Sequence, residues 1–347
     1  MRPLVLHVVE ALGGGVTSAV EDFIRSTPGF RHRVLASLRA ESHSAASLRE
    51  AAGEVDLLRD GIRRRIRDVR TAVRRLRPAV VHAHSSFAGG YVRLAGIDPR
   101  RVVYTPHCYA FERLDIPTRA RALYWTLEAA LSFRGRTVAA VSAREGRLAR
   151  RLPGRQRVVV VPNVARVPET PPPVAGERLE DVVAVALGRT LAQKDPAYFA
   201  AAVRASREAG LPVVWRWIGG GDPETERRLR DAGVEVTGWI ERDEALRHLQ
   251  KADVYVHTAA WEGFPITVLE AAAMGKPIVA RRIPALEETS LSLVDEPGRL
   301  AVAVGAMREP GARAAAVDAS RRLAREHDPA HQERVLSEIY GRVASGS

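Results

Sequence analysis

Two glutamates eight positions apart, Glu262 and Glu270, frame the segment WEGFPITVLEAAAMGKPIVA (261–280). Pro265 suits a first helical position, because its ring presets φ and no backbone N–H is needed there. Gly275 suits a helix end. The segment therefore predicts a short helix from Pro265 to Met274, rising from a loop after the apolar run VYVHTAA (254–260). Where such a run is a parallel strand, the free N–H groups of Ile266, Thr267 and their neighbours face a crevice and suit phosphate oxygens. Glu262 on the loop and Glu270 on the second turn then offer one carboxylate to sugar hydroxyls and one to a ribose. The alternative makes Glu262 a helix cap and Glu270 a solvated charge. The flanking Gly-Phe-Pro, the helix ends and the following strand favour the first reading.

A second cluster is LGRTLAQKDP (187–196), where Arg189 and Lys194 are two cations at a strand–helix junction. A guanidinium grips phosphate as a fork and an ammonium as a compact charge, so together they suit a diphosphate leaving group without a metal. In a chain this rich in arginine, a basic loop pair also occurs without function. The glycine loop ALGGGVTSAVEDFI (11–24) lets backbone at Gly13, Gly14 and Gly15 approach an anion, or forms a plain tight turn. In TPHCYAF (105–111), His107 stands at a strand end, catalytic or structural. His82 and His84 in VVHAHSS show no obvious third ligand, so no metal site is assigned.

These residues need a scaffold of strands and helices. Apolar runs at 4–9, 80–84, 102–107, 138–142 and 158–162 alternate with helical patterns, and the alternation resumes at 182–189, 213–221, 234–240, 254–260 and 277–282. That order predicts parallel sheets buried on both faces. The proline-rich stretch 166–181 reads as a linker. The expectation is α/β, with two Rossmann-like domains whose sheets face an interdomain cleft: residues 1–165 on the acceptor side and 182–325 on the donor side. In folds of this kind the last helix, here about 326–347, often crosses back to the first domain.

The 347 residues suit two domains. No run reaches the roughly 18–20 apolar residues that cross a bilayer, and the N-terminus reads as a buried strand rather than a signal peptide. Cys108 is the only cysteine, which excludes a disulfide framework and suits a reducing, cytoplasmic location. Residues 1–165 carry 29 basic and 14 acidic side chains, against 24 and 27 in residues 166–347. The basic half should meet something anionic. In GIRRRIRDVRTAVRRLRP (61–78), Ile62, Ile66, Val69, Val73 and Leu76 form one helical stripe with arginines on the other faces. The helix either packs on the sheet with a solvated basic face or docks on anionic membrane. Residues 118–136, with Tyr124 and Trp125 among arginines, are a second candidate.

Taken together, these motifs resemble glycosyltransferase family 4, retaining enzymes of the GT-B fold, over nearly the whole chain. The E-x7-E spacing of Glu262 and Glu270 around Gly-Phe-Pro and the GRxxxxK of Arg189 and Lys194 carry most of the likeness. The resemblance implies a retaining, metal-independent transferase of the bacterial envelope or exopolysaccharide type, with a nucleotide-diphosphate sugar as substrate and no cofactor. Arg189 and Lys194 would hold the pyrophosphate, Glu262 the sugar hydroxyls and Glu270 the ribose. Phe264, Pro265, Ile266 and Thr267 would line the site. Gly14 and Gly15 would close over the phosphates, and His107 would contact the transferred sugar. The acceptor would be a glycan or a lipid-linked molecule, with the protein cytoplasmic and a candidate for contact with the inner membrane face. The chain departs from the family at Asn163–Val164, where Asn-Gly is common, and at Asp195, where Gly is frequent. A non-hydrolysing nucleotide-sugar 2-epimerase is the competing reading within the architecture. A basic nucleic-acid-binding protein is the competitor from another class; it lacks a recognisable binding module, and no specific nucleic-acid partner is expected.

Overall fold

The computed structural model describes residues 2–37, 45–167 and 178–346, without the side chains of 45–47. Residues 168–177 of the expected linker thus lie outside the described residues. The chain divides into two compact units, Met1–Val164 with Asp328–Ser347, and Ala165–His327.

The first unit runs β1 (Leu4–Val9), α1 (Gly15–Arg25), β2 (Arg31–Ala36), α2 (Ala45–Ala52), β3 (Val55–Leu57), α3 (Ile62–Leu76), β4 (Val80–His84) and α4 (Ser86–Leu94). It continues with β5 (Val102–Thr105), α5 (Thr118–Leu131), β6 (Thr137–Ala140), α6 (Ala143–Arg150) and β7 (Arg157–Val160). The second unit runs β8 (Val182–Leu187), α7 (Pro196–Glu208), β9 (Val213–Ile218), α8 (Pro223–Asp231), β10 (Glu235–Val236), α9 (Arg242–Lys251) and β11 (Val254–His257). It closes with α10 (Ile266–Ala273), β12 (Ile278–Arg281), β13 (Ser292–Val294), α11 (Pro297–Gly305) and α12 (Pro310–Glu326), and the chain ends in α13 (Pro329–Ser345).

Both sheets are parallel. Seven strands in the first unit take the order β3-β2-β1-β4-β5-β6-β7, and six in the second take β10-β9-β8-β11-β12-β13. In each, the order reverses beside the unit's first strand, which puts a crevice at the carboxyl ends of β1 and β4 and of β8 and β11. The central strands are buried because helices cover both faces; all six residues of β1 are buried, His7 among them. Strand β2 and the edge strands β3 and β13 escape an apolar-run search, since they are partly polar and half exposed at one end. The expected strand at 234–240 shrinks to the two residues of β10, because Gly238 turns at φ +70 and Trp239 leaves the sheet 46% exposed.

Helix α13 packs on the first unit. Leu336, Ile339, Tyr340 and Val343 join Val5, Val80, Val103 and Ala139 in one core cluster. Gln332 ties the helix down at both ends of its amide, accepting from Ser26 Oγ at 2.8 Å and donating to the Pro162 carbonyl at 2.8 Å. Full burial of such aliphatic and aromatic side chains contributes roughly 1.5–3 kcal/mol each.

In α3 the stripe folds inward in part. Val69 is fully buried and Ile66, Val73 and Leu76 pack against the core, whereas Ile62 is 62% exposed. That residue opens the helix directly after Gly61.

Candidate functional site

In the second unit, the loops after β8 and β11 meet. Lys194 Nζ lies 2.6 Å from Glu262 Oε1, and Gln193 Nε2 donates to Glu262 Oε2 at 3.1 Å and to the Trp261 carbonyl at 3.2 Å. Thr258 Oγ1 donates to the Lys194 carbonyl at 2.8 Å, which locks the two loops together. Gln193 and Lys194 thus share a carboxylate that lies 69 and 68 positions further along the sequence. Glu262 caps no helix: its two oxygens go to Lys194 and Gln193.

Glycine is required where these loops cross. Gly188 stands at φ +149, and a Cβ there would sit 3.0 Å from Lys194 Cε. Gly219, at φ +119, would place a Cβ 2.4 Å from the Gly188 carbonyl oxygen. A side chain at either position would displace the lysine or its loop. Asp195 takes φ +51 and caps α7 by accepting from Tyr198 N at 3.1 Å, while Arg281 Nη1 donates to its other oxygen at 2.6 Å. These contacts hold a non-glycine residue in the left-handed region and account for Asp195 in a place where Gly serves elsewhere.

Helix α10 starts one residue later than expected. Pro265 has ψ 118 and so precedes the helix, and Met274 follows it as the C-cap. As its first residues, Ile266 and Thr267 have backbone N–H groups without partners in the helix, at the carboxyl end of β11. Phe264 is buried and its ring lies 4.4 Å from that of His327. Thr267 Oγ1 accepts from Tyr255 OH at 2.7 Å.

Glu270 is no solvated surface charge: it is 1% exposed and ion-paired to Arg242 at 2.5 Å. Burial pushes its carboxyl up, and Arg242 and then Lys194 oppose that. Arg189 is half-buried on the loop after β8. Sequence reasoning missed Gln193, Arg242 and His257. His257 ends β11, 2% exposed, with Nε2 unpartnered; burial, helped by the Lys194 charge, pushes its pKa well down. Its signal was a polar residue closing an apolar strand. The arrangement offers a cation, a polarised carboxylate and free backbone donors at one sheet end, which suits an anion joined to a polyol.

The first unit differs. Gly13 and Gly14 take φ +139 and +63, Gly14 being the N-cap of α1 with Gly15 its first residue. His107 and Cys108, just after β5, both lie in the left-handed region at φ +50 and +83. Their turn is held by Glu145, whose Oε1 accepts from Cys108 N and Oε2 from Val141 N, each at 2.8 Å. Burial nevertheless raises the Glu145 pKa to about 7. Burial also lowers His107 to about 3. His107 Nε2 lies 3.0 Å from His84 Nδ1, and His84 Nε2 lies 3.0 Å from His7 Nδ1.

The sequence showed no third partner for His82 and His84. The structure supplies His7, which the parallel register sets opposite His82, and ring nitrogens of the three lie within 4.8 Å of one another. Both nitrogens of His82 are engaged, Nδ1 with Tyr340 OH at 2.7 Å and Nε2 with Thr105 Oγ1 at 2.8 Å.

Residues 181–324 match the family described as glycosyl transferases group 1, and residues 14–164 match the glycosyl transferase 4-like domain. The chain is 27% identical over 227 residues to the Escherichia coli UDP-Gal:alpha-D-GlcNAc-diphosphoundecaprenol alpha-1,3-galactosyltransferase, covering 59% of this chain and 58% of that protein. It is 24% identical over 229 residues to an uncharacterized 41.2 kDa protein in the cps region of Klebsiella pneumoniae, covering 60% and 62%. The chain thus spans about three fifths of the length of these relatives. Among solved structures, Anabaena HepE in complex with UDP-glucose superposes with a TM-score of 0.76 at 15% identity, over 97% of this chain and 98% of that one. Sucrose-phosphate synthase from Thermosynechococcus elongatus gives 0.76 at 14%, over the whole of both chains.

Proposed function

The chain belongs to the group 1 glycosyltransferases, with a glycosyltransferase 4-like first half, and on that premise we propose that it transfers a sugar from a nucleotide-diphosphate donor to a glycan or lipid-linked acceptor in envelope or exopolysaccharide synthesis. One observation carries the reading. Lys194 and Glu262, from separate loops, form a 2.6 Å pair at the carboxyl end of β8 and β11, next to the free N–H groups that open α10.

In this reading Lys194 and Arg189 hold the diphosphate, and the first N–H groups of α10 take further phosphate oxygens. Glu262 accepts hydrogen bonds from sugar hydroxyls. Glu270, oriented by Arg242, faces the ribose. Gly14 and Gly15 contribute backbone to the phosphates, and His107 contacts the transferred sugar. The bond from the anomeric carbon to the phosphate oxygen breaks while a bond to the acceptor oxygen forms on the same face. The acceptor proton passes to the leaving phosphate, and the anomeric configuration is retained. The two cations carry the developing charge, so the reaction runs without a metal.

The names of the relatives support a uridine donor and a lipid-linked diphosphate acceptor. Among the described residues no helix is long and apolar enough to cross a membrane, and reach to a lipid-linked acceptor is proposed to come from peripheral contact. The exposed arginines of α3 and the exposed Leu123, Trp125 and Leu127 of α5 support that contact.

The test is a thermal-shift panel of UDP, GDP, ADP and dTDP in EDTA. A ligand at about 100 times its Kd stabilises by roughly 2.7 kcal/mol. UDP is expected to raise the Tm, and Lys194→Ala to abolish the rise. NMR of the product should then show an unchanged anomeric configuration. No shift with any nucleotide, with or without magnesium, would sink the reading. An inverted product would remove retention alone.

A further inference from the structure

Five histidines gather on β1, β2 and β4 and just after β5, and four of them form one hydrogen-bonded chain. His32 Nδ1 lies 3.1 Å from His7 Nε2, His7 Nδ1 lies 3.0 Å from His84 Nε2, and His84 Nδ1 lies 3.0 Å from His107 Nε2. The fifth, His82, packs beside His84 with ring centroids 4.1 Å apart and the rings tilted by 34°, and has both nitrogens engaged elsewhere.

The direction of the chain follows from its far end. His32 Nε2 lies 3.1 Å from the Thr27 carbonyl oxygen and 3.3 Å from Thr27 Oγ1. The carbonyl can only accept. The threonine hydroxyl donates its hydrogen to the Phe23 carbonyl at 2.7 Å, so it too can only accept from His32. His32 therefore carries its proton on Nε2. A neutral imidazole holds one N–H and one lone pair, which leaves His32 Nδ1 bare to accept from His7 Nε2–H. The same rule passes the choice along, from His7 to His84 and from His84 to His107. Burial keeps the rings neutral by pushing their pKa values down.

We propose that the Thr27 carbonyl, acting through His32, His7 and His84, fixes His107 in the tautomer with its proton on Nε2, so that Nδ1 offers a lone pair to a hydroxyl of the transferred sugar. The second half of the statement rests on the glycosyltransferase reading; the first does not. His32, His7 and His84 are then positioning residues. The chain does not conduct protons, because its inner end is a carbonyl that cannot take one up. Nor does it serve a metal on His7, His82 and His84. The proton shared by His7 and His84 and the two bonds of His82 occupy the lone pairs that such an ion would need.

The experiment is long-range 1H–15N NMR on the full chain labelled with 15N-histidine. The wild type should show His107 with Nδ1 bare and Nε2 protonated, and scalar coupling across each of the three N–H···N bonds. His32→Phe removes the acceptor from His7 Nε2. The remaining three rings then reverse, and His107 becomes protonated on Nδ1. His32→Gln keeps the direction, since its amide oxygen accepts from His7 and its NH2 donates to Thr27. With UDP-glucose as probe, the apparent Kd should rise about tenfold in His32→Phe and stay near wild type in His32→Gln. The Kd for UDP alone should not change in either variant. An Nδ1–H His107 in the wild type, an unaltered His107 in folded His32→Phe, or loss of the couplings on stoichiometric zinc uptake would each overturn the chain. A reversed His107 with unchanged UDP-glucose affinity would leave the chain and overturn the recognition of the sugar. Absence of any UDP-glucose binding to the wild type would instead overturn the glycosyltransferase reading.

Discussion

The two units share a strand order and place their chemistry at the same end of the sheet, yet they fill that end with different interactions. In the second unit it is built from ions: Lys194 with Glu262, Arg242 with Glu270, and Arg281 with Asp195. In the first it is built from the neutral imidazoles of His84 and His107, backed from deeper in the sheet by His7 and His32, with His82 and the Tyr340 hydroxyl beside them. A common scaffold therefore does not dictate the chemistry at its rim. Ions there suit a charged, exchangeable ligand. Neutral groups of fixed polarity suit recognition of hydroxyls without altering the charge balance.

Acid should separate the two units most sharply. The pKa values of His7, His32, His82, His84 and His107 lie below the usual 6.5, with burial the first cause in each. Between those values and 6.5 the unfolded state binds more protons than the folded one, so stability falls as pH falls below 6.5. The cost is about 1.4 kcal/mol per pH unit for each histidine held neutral. Glu145 acts in the opposite sense. Its folded pKa of about 7 lies above the usual carboxyl value, so it adds stability as pH falls from 7 towards 4.5 and offsets about one histidine. In the second unit His257 behaves like the imidazole cluster, and Glu270, whose carboxyl is raised, offsets it. Hydrogen exchange at pH 7 and pH 5 should show β1 and β4 losing protection on the order of several kcal/mol before β8 and β11. Loss in the reverse order would break the contrast.

The next effect is catalytic. Lys194→Ala should lower kcat/KM about a hundredfold to a thousandfold, the usual loss when a group that stabilises developing charge is removed. His107→Ala should lower it about tenfold, through the loss of one neutral hydrogen bond. Steady-state kinetics with the donor found by the thermal-shift panel would measure both. Equal losses would mean that both rims contribute charge.

The two rims also differed in how much of them could be read from sequence. Around Glu262 and Lys194 the signal was local: Gly-Phe-Pro, a helix start and a strand before it. The alternation of strands and helices was likewise legible, because two-faced burial leaves mostly apolar runs. Strands β2 and β3 were not, since Arg31, His32 and Arg33 interrupt the run that would have marked β2. The histidine chain was out of reach for another reason. His7, His32, His84 and His107 come from four separate segments, and only the register of β1 between β2 and β4 brings the first three into line. Arg242 and Glu270 met in the same unforeseen way, because nothing in a linear pattern says which of many arginines faces a buried carboxylate.

Tyr340→Phe tests how far the neutral network supports the fold. It removes the hydroxyl 2.7 Å from His82 Nδ1 and leaves the ring, which packs edge-on to Phe30. The expected loss is about 1 kcal/mol, the net worth of one buried hydrogen bond, read from urea melts at pH 7. A loss above about 3 kcal/mol would mean that the hydroxyl sets the position of α13 on the sheet rather than merely satisfying His82.

The smallest change to the fold belongs to the basic surface. Arg63, Arg64, Arg67 and Arg74 of α3 are exposed, and its core contacts are made by Val69 and its neighbours. Replacing these four by glutamine should move stability by less than about 0.5 kcal/mol per site. Each arginine near an anionic surface contributes about 1 kcal/mol of attraction, so binding to phosphatidylglycerol vesicles at low salt should nevertheless fall steeply. Co-sedimentation against neutral phosphatidylcholine vesicles separates the outcomes. If the wild type binds neither, or the quadruple variant binds phosphatidylglycerol as well as the wild type does, the arginines of α3 are a solvated face and the acceptor must be met elsewhere. If binding is lost while UDP affinity is kept, charge in the first unit serves the membrane and charge in the second serves the donor, and the division between the units extends from their rims to their outer faces.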